Sequence, residues 1–404
     1  MKLVAATLVT ALVSIGLAAA VPAADGGPGS AMTMRGVDAP SIAPSGSSAA
    51  PPTPEPPAAI NIYSQIGVGH LSWAVVADLP RVYVPNHSAN TVSVIDPSTL
   101  KVVNTFKVGV RPQHVIPSWD LTTLWVANNG RGNRNGSLTP IDPTTGKPGL
   151  PVKVPDPYNM YFMPDGSAAI VVDEALRRLD LRDPKTMALE AQIPTPTCHG
   201  INHADFAADG SYAIFTCEFN GALLKVDLRN REVLGTLALP KMSMPQDIRL
   251  SPDGQVFYVA DMAADGVHLV NGESFTIAGF IPTGPGAHGL TVSRDGTKLY
   301  VSNRGSHSMH RASRHGPGSV SVIDFATRAV VAQWPIPGGG SPDMGNVSAD
   351  GKQLWLSGRF DNEVYMFDTT SGAVSKVPVG REPHGLAVWP QPGRYSLGHT
   401  GNMR

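Results

Sequence analysis

The chain has 404 residues, a formal net charge of −1, 16% charged residues, 42 Gly and 37 Pro. Few charges and dense Gly/Pro punctuation fit many short strands joined by turns. No basic run stands ready to neutralise phosphates, which argues against an electrostatic nucleic-acid binder.

Residues 1–24 read as a secretory signal: Lys2, the apolar run LVAATLVTALVSIGLAAAV, then small residues with cleavage near Ala23 or Ala24. An uncleaved anchor is the alternative, given the length of the run. Residues 25–59 are rich in Pro, Ala, Ser and Gly and carry too little apolar surface to offset ordering, so a disordered linker is expected. Residues 60–404 then form one domain, with no second apolar stretch of spanning length.

That domain repeats one pattern. An Asp-Gly turn recurs at Asp165-Gly166, Asp209-Gly210, Asp253-Gly254, Asp295-Gly296 and Asp350-Gly351, each followed by an apolar β-rich run. A third strand ends near Asp96, Asp227, Asp324 and Asp368, and a fourth ends in a small turn. A period of about forty residues with four strands each is the signature of a β-propeller blade, so the expected fold class is all-β. Full copies start near His70, His114, Asn159, His203, Asp247, His288 and Asp343. Two pieces remain, residues 61–67 and 383–398. Joined, they would make a split eighth blade closed by both chain ends, and eight blades is the favoured count, with seven as the alternative.

The copies RVYVPNHSANTVSVID and GSVSVIDFATRAVVAQWPIPG resemble the YVTN-type repeat of secreted prokaryotic propellers, the YncE-like proteins. The resemblance covers residue 60 to the C-terminus. It implies the fold and an exported location, secreted or periplasmic, but no single activity, because one fold hosts many functions.

Inserts at residues 130–136 and 305–318 follow the second strand of their repeats, so they map to one face, often the binding face. Cys198 and Cys217 flank the Asp209-Gly210 turn. In an exported chain they are disulfide candidates, with free thiols or a Cys ligand beside His199 as alternatives.

Five histidines fall at one repeat position, the start of the first strand: His70, His114, His203, His288 and His384. The other copies place Asn159, Asp247 and Asp343 there. First strands line a propeller's channel, so these residues form a ring at one mouth. His87 and His399 follow second strands and return to the same face, and His199, His307, His310 and His315 lie in connections or loops.

Two roles suit such a ring. Each side chain can bond the neighbouring blade's backbone, as Asp or Asn would. Alternatively, His114, His203, His288 and His384, with Asp247 or Asp343, can hold Cu, Fe or Zn, ligate a haem, or supply acid–base groups. The architecture is similar to the propellers of nitrous-oxide reductase and cytochrome-type nitrite reductase. It departs from both, lacking a complete seven-histidine copper set and any Cys-x-x-Cys-His motif.

The functional expectation is an exported, monomeric binding propeller with a His/Asp-lined mouth whose ligand or protein partner is unknown. The alternative is a metal- or haem-dependent enzyme, an oxidoreductase or a lactonase-like hydrolase. A peptide- or nucleic-acid-binding propeller would use Arg111, Arg131, Arg134, Arg304, Arg311 and Arg314.

Overall fold

The structure, a computed structural model, describes residues 60–131, 135–309 and 316–404. The signal and linker expected over residues 1–59 lie outside the described residues, as do Arg134, His310, Arg311, Arg314 and His315. No helix among the described residues is long and apolar enough to cross a membrane.

The repeat folds as its pattern requires. Ala287–Val292, Lys298–Asn303, Ser319–Asp324 and Ala329–Pro335 form one antiparallel sheet in that order. The turn between the first two strands is closed by Asp295, whose Oδ1 accepts from Thr297 N at 3.0 Å, while Gly296 takes φ +69°. The inner strands are almost wholly buried between neighbouring sheets, and the outermost strand is mostly exposed. Among the described residues there are seven such sheets, one of them extended by the short strand Val152–Lys153.

Seven blades, not eight, close the ring. The expected split eighth blade does not form, because the C-terminal piece completes the first blade instead. Ala387–Trp389 pairs antiparallel with Arg81–Asn86 as its innermost strand, with Tyr83 opposite Ala387 and Arg81 opposite Trp389. The region around His70 therefore supplies no first strand. Residues 61–67 make successive turns rather than an outer strand, pinned by Tyr63, whose hydroxyl donates to Leu250 O at 2.7 Å. Both chain ends do secure the ring, but within and beneath existing blades.

Residues 390–404 then turn into the channel. Phe162 N donates to Leu397 O at 3.0 Å and His399 N to Met160 O at 2.9 Å, so this tail runs along the innermost strand Pro157–Phe162. Arg404 ends beside Asp205, 2.8 Å away, which also accepts from Asn402. Cys198 and Cys217 form a disulfide with Cα atoms 4.9 Å apart. Cys198 lies before its strand, in a turn closed by Cys198 N donating to Thr195 O, and this turn brings it against the end of the next strand.

The closing strand sets a clear expectation. Trp389 is buried, and its indole N–H donates to Asp78 Oδ2 at 2.7 Å. Trp389→Ala should cost about 3–5 kcal/mol in denaturant unfolding, as a cavity opens and Asp78 Oδ2 loses its donor, leaving the carboxylate only the bond from Thr144 Oγ1. A loss under about 1 kcal/mol would mean that closure does not depend on this residue.

Candidate metal centre

Each blade delivers one polar side chain to the channel from the start of its innermost strand: His384, His114, Asn159, His203, Asp247, His288 and Asp343 in order around the ring, all buried. The glycine after His384 and after His288 has a physical reason. A Cβ on Gly385 would lie 2.0 Å from His114 Nδ1, and one on Gly289 would lie 2.5 Å from Asp343 O. Only glycine lets the next blade approach so closely.

Hydrogen bonding separates the members of this ring. Asp247 is a strut: its Oδ2 accepts Leu290 N of the next blade at 3.0 Å, and its Oδ1 accepts Arg249 Nη1 at 2.7 Å. His384 Nδ1 lies 3.1 Å from Gln113 O, again across a blade boundary. The His288 ring sits between two partners, with Nδ1 2.8 Å from Asp343 Oδ1 and Nε2 against the Arg304 guanidinium, which also pairs with Asp343 at 3.0 Å.

His114 and His203 behave differently, and the tail adds His399 to them. The three ring centroids lie 5.5, 5.0 and 4.9 Å apart, and one nitrogen from each falls within 4.8 Å of the others. Both nitrogens of His114, and Nε2 of His203, are buried without a hydrogen-bond partner among the described residues, while Nε2 of His399 lies 3.5 Å from Asp247 Oδ2. Orphaned buried polar atoms are uncommon and ask for a ligand. Asn159 Nδ2 steers two of the rings, lying 2.9 Å from His399 Nδ1 and 3.3 Å from His203 Nδ1. His288, Asp343 and His384 make a second convergent trio, but Arg304 already fills its charge.

Burial, reinforced by the neighbouring imidazoles, holds His114 well below the usual histidine range. Burial also lowers His203, with His399 adding to it, and His384 and His399, where Asp343 and Asp247 oppose the effect. For His288, burial and then Arg304 bring the value to about 4. Near neutral pH these rings are neutral, the form that ligates metals. Burial works against ionised Asp343, yet Arg304 and His288 outweigh it and keep it a carboxylate.

Above this ring lies a second one. The residue directly after the second strand of each blade is, in order, His87, Asn129, Glu174, Glu218, Met262, Arg304 and Arg359. Most of them line a chamber of about 450 Å³, whose floor is His384 and Tyr158. The His114 ring lies directly behind that floor, 4.7 Å from His384 and 5.5 Å from Tyr158 between centroids. Arg131 and Met309, one residue from each of the two inserts, also line it.

Other sequence-nominated residues are dispersed. His70 is exposed near the Asp-Gly turn of Arg294, on the face opposite the chamber. His87 is half-buried in the chamber wall, 3.3 Å from Glu382. His199 is exposed beside Arg177, and His307 lies 2.7 Å from Asp265. Sequence reasoning missed Tyr158, Glu174, Glu218 and Arg359. Their signal lies in the repeat: each of Glu174, Glu218 and Arg359 directly follows a second strand, the same repeat position as His87.

A seven-bladed propeller with an imidazole cluster under one mouth is thus the class that fold and site define. The chain belongs to the YNCE-like beta-propeller family, whose model matches residues 66–392. It matches no curated protein. Among solved structures it is similar to Kuenenia stuttgartiensis hydrazine synthase, with 18% identity and TM-score 0.55, covering 78% of this chain and 96% of that one. It is also similar to the dihydro-heme d1 dehydrogenase NirN in complex with DHE, with 13% identity, TM-score 0.57 and coverage of 77% and 75%. A third is a putative 6-phosphogluconolactonase from Bacteroides uniformis, with 17% identity, TM-score 0.59 and coverage of 76% and 99%. At such identities the likeness shows the fold alone.

One residue of the upper ring gives a pH expectation. Glu218 is buried, and burial raises it to about 7 despite a bond from Gln246 Nε2 at 2.9 Å. A carboxyl raised in the folded state adds stability below its unfolded value and loses it as pH rises through the folded one. Gln246 can turn its amide over to meet a glutamine, since its Oε1 is unpaired. Glu218→Gln should therefore match the wild type near pH 4.5 and exceed it above about pH 7, by on the order of 2 kcal/mol, in thermal unfolding across pH. A difference that grows toward acid would contradict the assignment.

Proposed function

We propose that this protein is a transition-metal-binding propeller, with His114, His203 and His399 as ligands and the chamber as the place where a small molecule meets the centre. The observation that carries this reading is the convergence of three buried imidazoles, with both nitrogens of His114 and Nε2 of His203 unpaired among the described residues. If the histidines were only blade struts, each would be satisfied across a boundary, as Asp247 and His384 are.

The donor set indicates the metal. Three imidazoles suit Cu, Zn or Fe, whereas Ca²⁺ and Mg²⁺ require oxygen ligands. At metal–nitrogen distances of about 2.0 Å, tetrahedral ligands lie about 3.3 Å apart, so the rings close inward by roughly an ångström on loading. Ligation through Nε2 would put the protons of His203 and His399 on Nδ1, so Asn159 would turn its amide over to accept them and give up the bond its Oδ1 accepts from Met160 N at 2.9 Å. A macrocycle does not suit this spot, because the tail around Gln391 and His399 fills the channel there. His114 lies between this site and the chamber floor, 4.7 Å from His384 between centroids, so a metal held there would sit next to the chamber and would supply Lewis-acid chemistry close to a ligand bound in it.

The test is metal content and affinity on untagged protein. Wild type should take up about one equivalent of Cu²⁺ or Zn²⁺ with micromolar or tighter affinity. His114→Ala combined with His203→Ala should lose it while the fold, followed by circular dichroism, persists. His288→Ala should retain the metal. Stoichiometric binding that survives the double substitution would remove the assignment.

A further inference from the structure

The upper ring is polarised. Glu174 and Glu218 come from consecutive blades, and Arg304 and Arg359 come from two consecutive blades further around the ring. Arg111 and Arg131 extend the basic side at the rim, and Glu382 is engaged by His87 and Ser88. Burial, then Glu218 and Asp156, pushes Glu174 well above the usual carboxyl range, so it offers little negative charge to balance the arginines.

Arg359 is the informative residue. It is 6% exposed, yet its Nε and Nη1 have no hydrogen-bond partner among the described residues. Arg304 Nε is unpaired among the described residues and buried as well, although its Nη2 reaches Asp343 and His288 and its Nη1 reaches Ser308 O. A guanidinium cannot shed its proton to escape burial. An unpaired buried charge costs several kcal/mol, and a fold does not keep one without a use for it. Both arginines line the same chamber.

We propose that the chamber binds a small oxygen anion, a carboxylate or an inorganic oxyanion, with Arg359 as its anchor, Arg304 beside it and Arg111 and Arg131 guiding it in. The planar guanidinium presents paired donors that match two oxygens of such a group. A basic mouth over low-dielectric walls also concentrates anions from solution. An anion seated there lies over His384 and Tyr158, the floor in front of His114. The inference rests on the chamber half of the reading above and not on the metal, so the two can fail separately.

The experiment is calorimetric titration of the full chain with acetate, succinate and inorganic phosphate in low-chloride buffer. It compares wild type, chelator-treated wild type, Arg359→Gln and Arg359→Lys. Wild type should bind at least one probe saturably at about one per chain. Preference for acetate or succinate would identify a carboxylate site, and preference for phosphate an inorganic oxyanion site. Arg359→Gln should weaken binding at least tenfold, Arg359→Lys less, and chelator-treated wild type should bind as untreated wild type does. Arg359→Gln should also melt at the same temperature or higher, because it removes an unpaired buried charge. No saturable binding by wild type, or undiminished binding by Arg359→Gln, would overturn the proposal. So would an Arg359→Gln protein that melts well below wild type or fails to fold, which would make Arg359 a structural residue.

Discussion

Ring closure by the strand Ala387–Trp389 is the constraint on which the rest depends. A propeller holds its channel in shape only while every sheet has a neighbour on both sides, and here the last gap is filled by chain that begins some three hundred residues downstream of its partner strand. The same pairing fixes three other things. It sets His384 and Gly385 against His114 and Gln113, with Val115 N donating to Gly385 O at 2.9 Å. It seals the first blade, whose own upstream segment makes turns. It also aims residues 390–404 into the channel, which delivers His399 to His114 and His203. Fold stability and the candidate centre therefore share one piece of chain, and damage to closure would be felt as damage to the site.

The channel shows how one repeat position can serve two purposes. In each blade the same backbone geometry presents a short polar side chain where the neighbouring inner strand offers free backbone groups. Asp247 uses that opportunity fully, and its charge is balanced by Arg249. His288 and Asp343 form a closed ionic cluster with Arg304. Only on the side where the tail enters do imidazoles face one another instead of backbone. Burial then keeps them neutral, with Asn159 and Asp247 reaching His203 and His399 while both nitrogens of His114 stay unpaired among the described residues. Asymmetry grafted onto a symmetric frame is what turns structural positions into a candidate site.

Much of this was legible in the sequence. The Asp-Gly turns and the strand runs after them gave the blade, and the recurrence of His, Asn or Asp at one repeat position gave the ring at the channel. What misled was local. His70 occupies the right place by counting, but the copy it would start has its inner strand supplied from the far end of the chain, and no local pattern reports a pairing across that separation. The leftover terminal pieces looked like an extra blade for the same reason. His399 was nominated as lying near the mouth, but its partnership with His114 and His203 depends on the path of an irregular tail, which has no periodicity to read. The grouping of His203 away from His288 depends on Arg304, whose reach is a matter of packing.

X-ray absorption at the metal edge, on protein loaded with one equivalent of Cu²⁺ or Zn²⁺, tests the central claim most directly. It counts the ligands and identifies imidazole by its outer-shell scattering. The account predicts three imidazole nitrogens at about 2.0 Å, falling to two when His399 is replaced by alanine. A shell made of oxygen alone, or one unchanged by that substitution, would contradict it and return the histidines to the role of packing between blades.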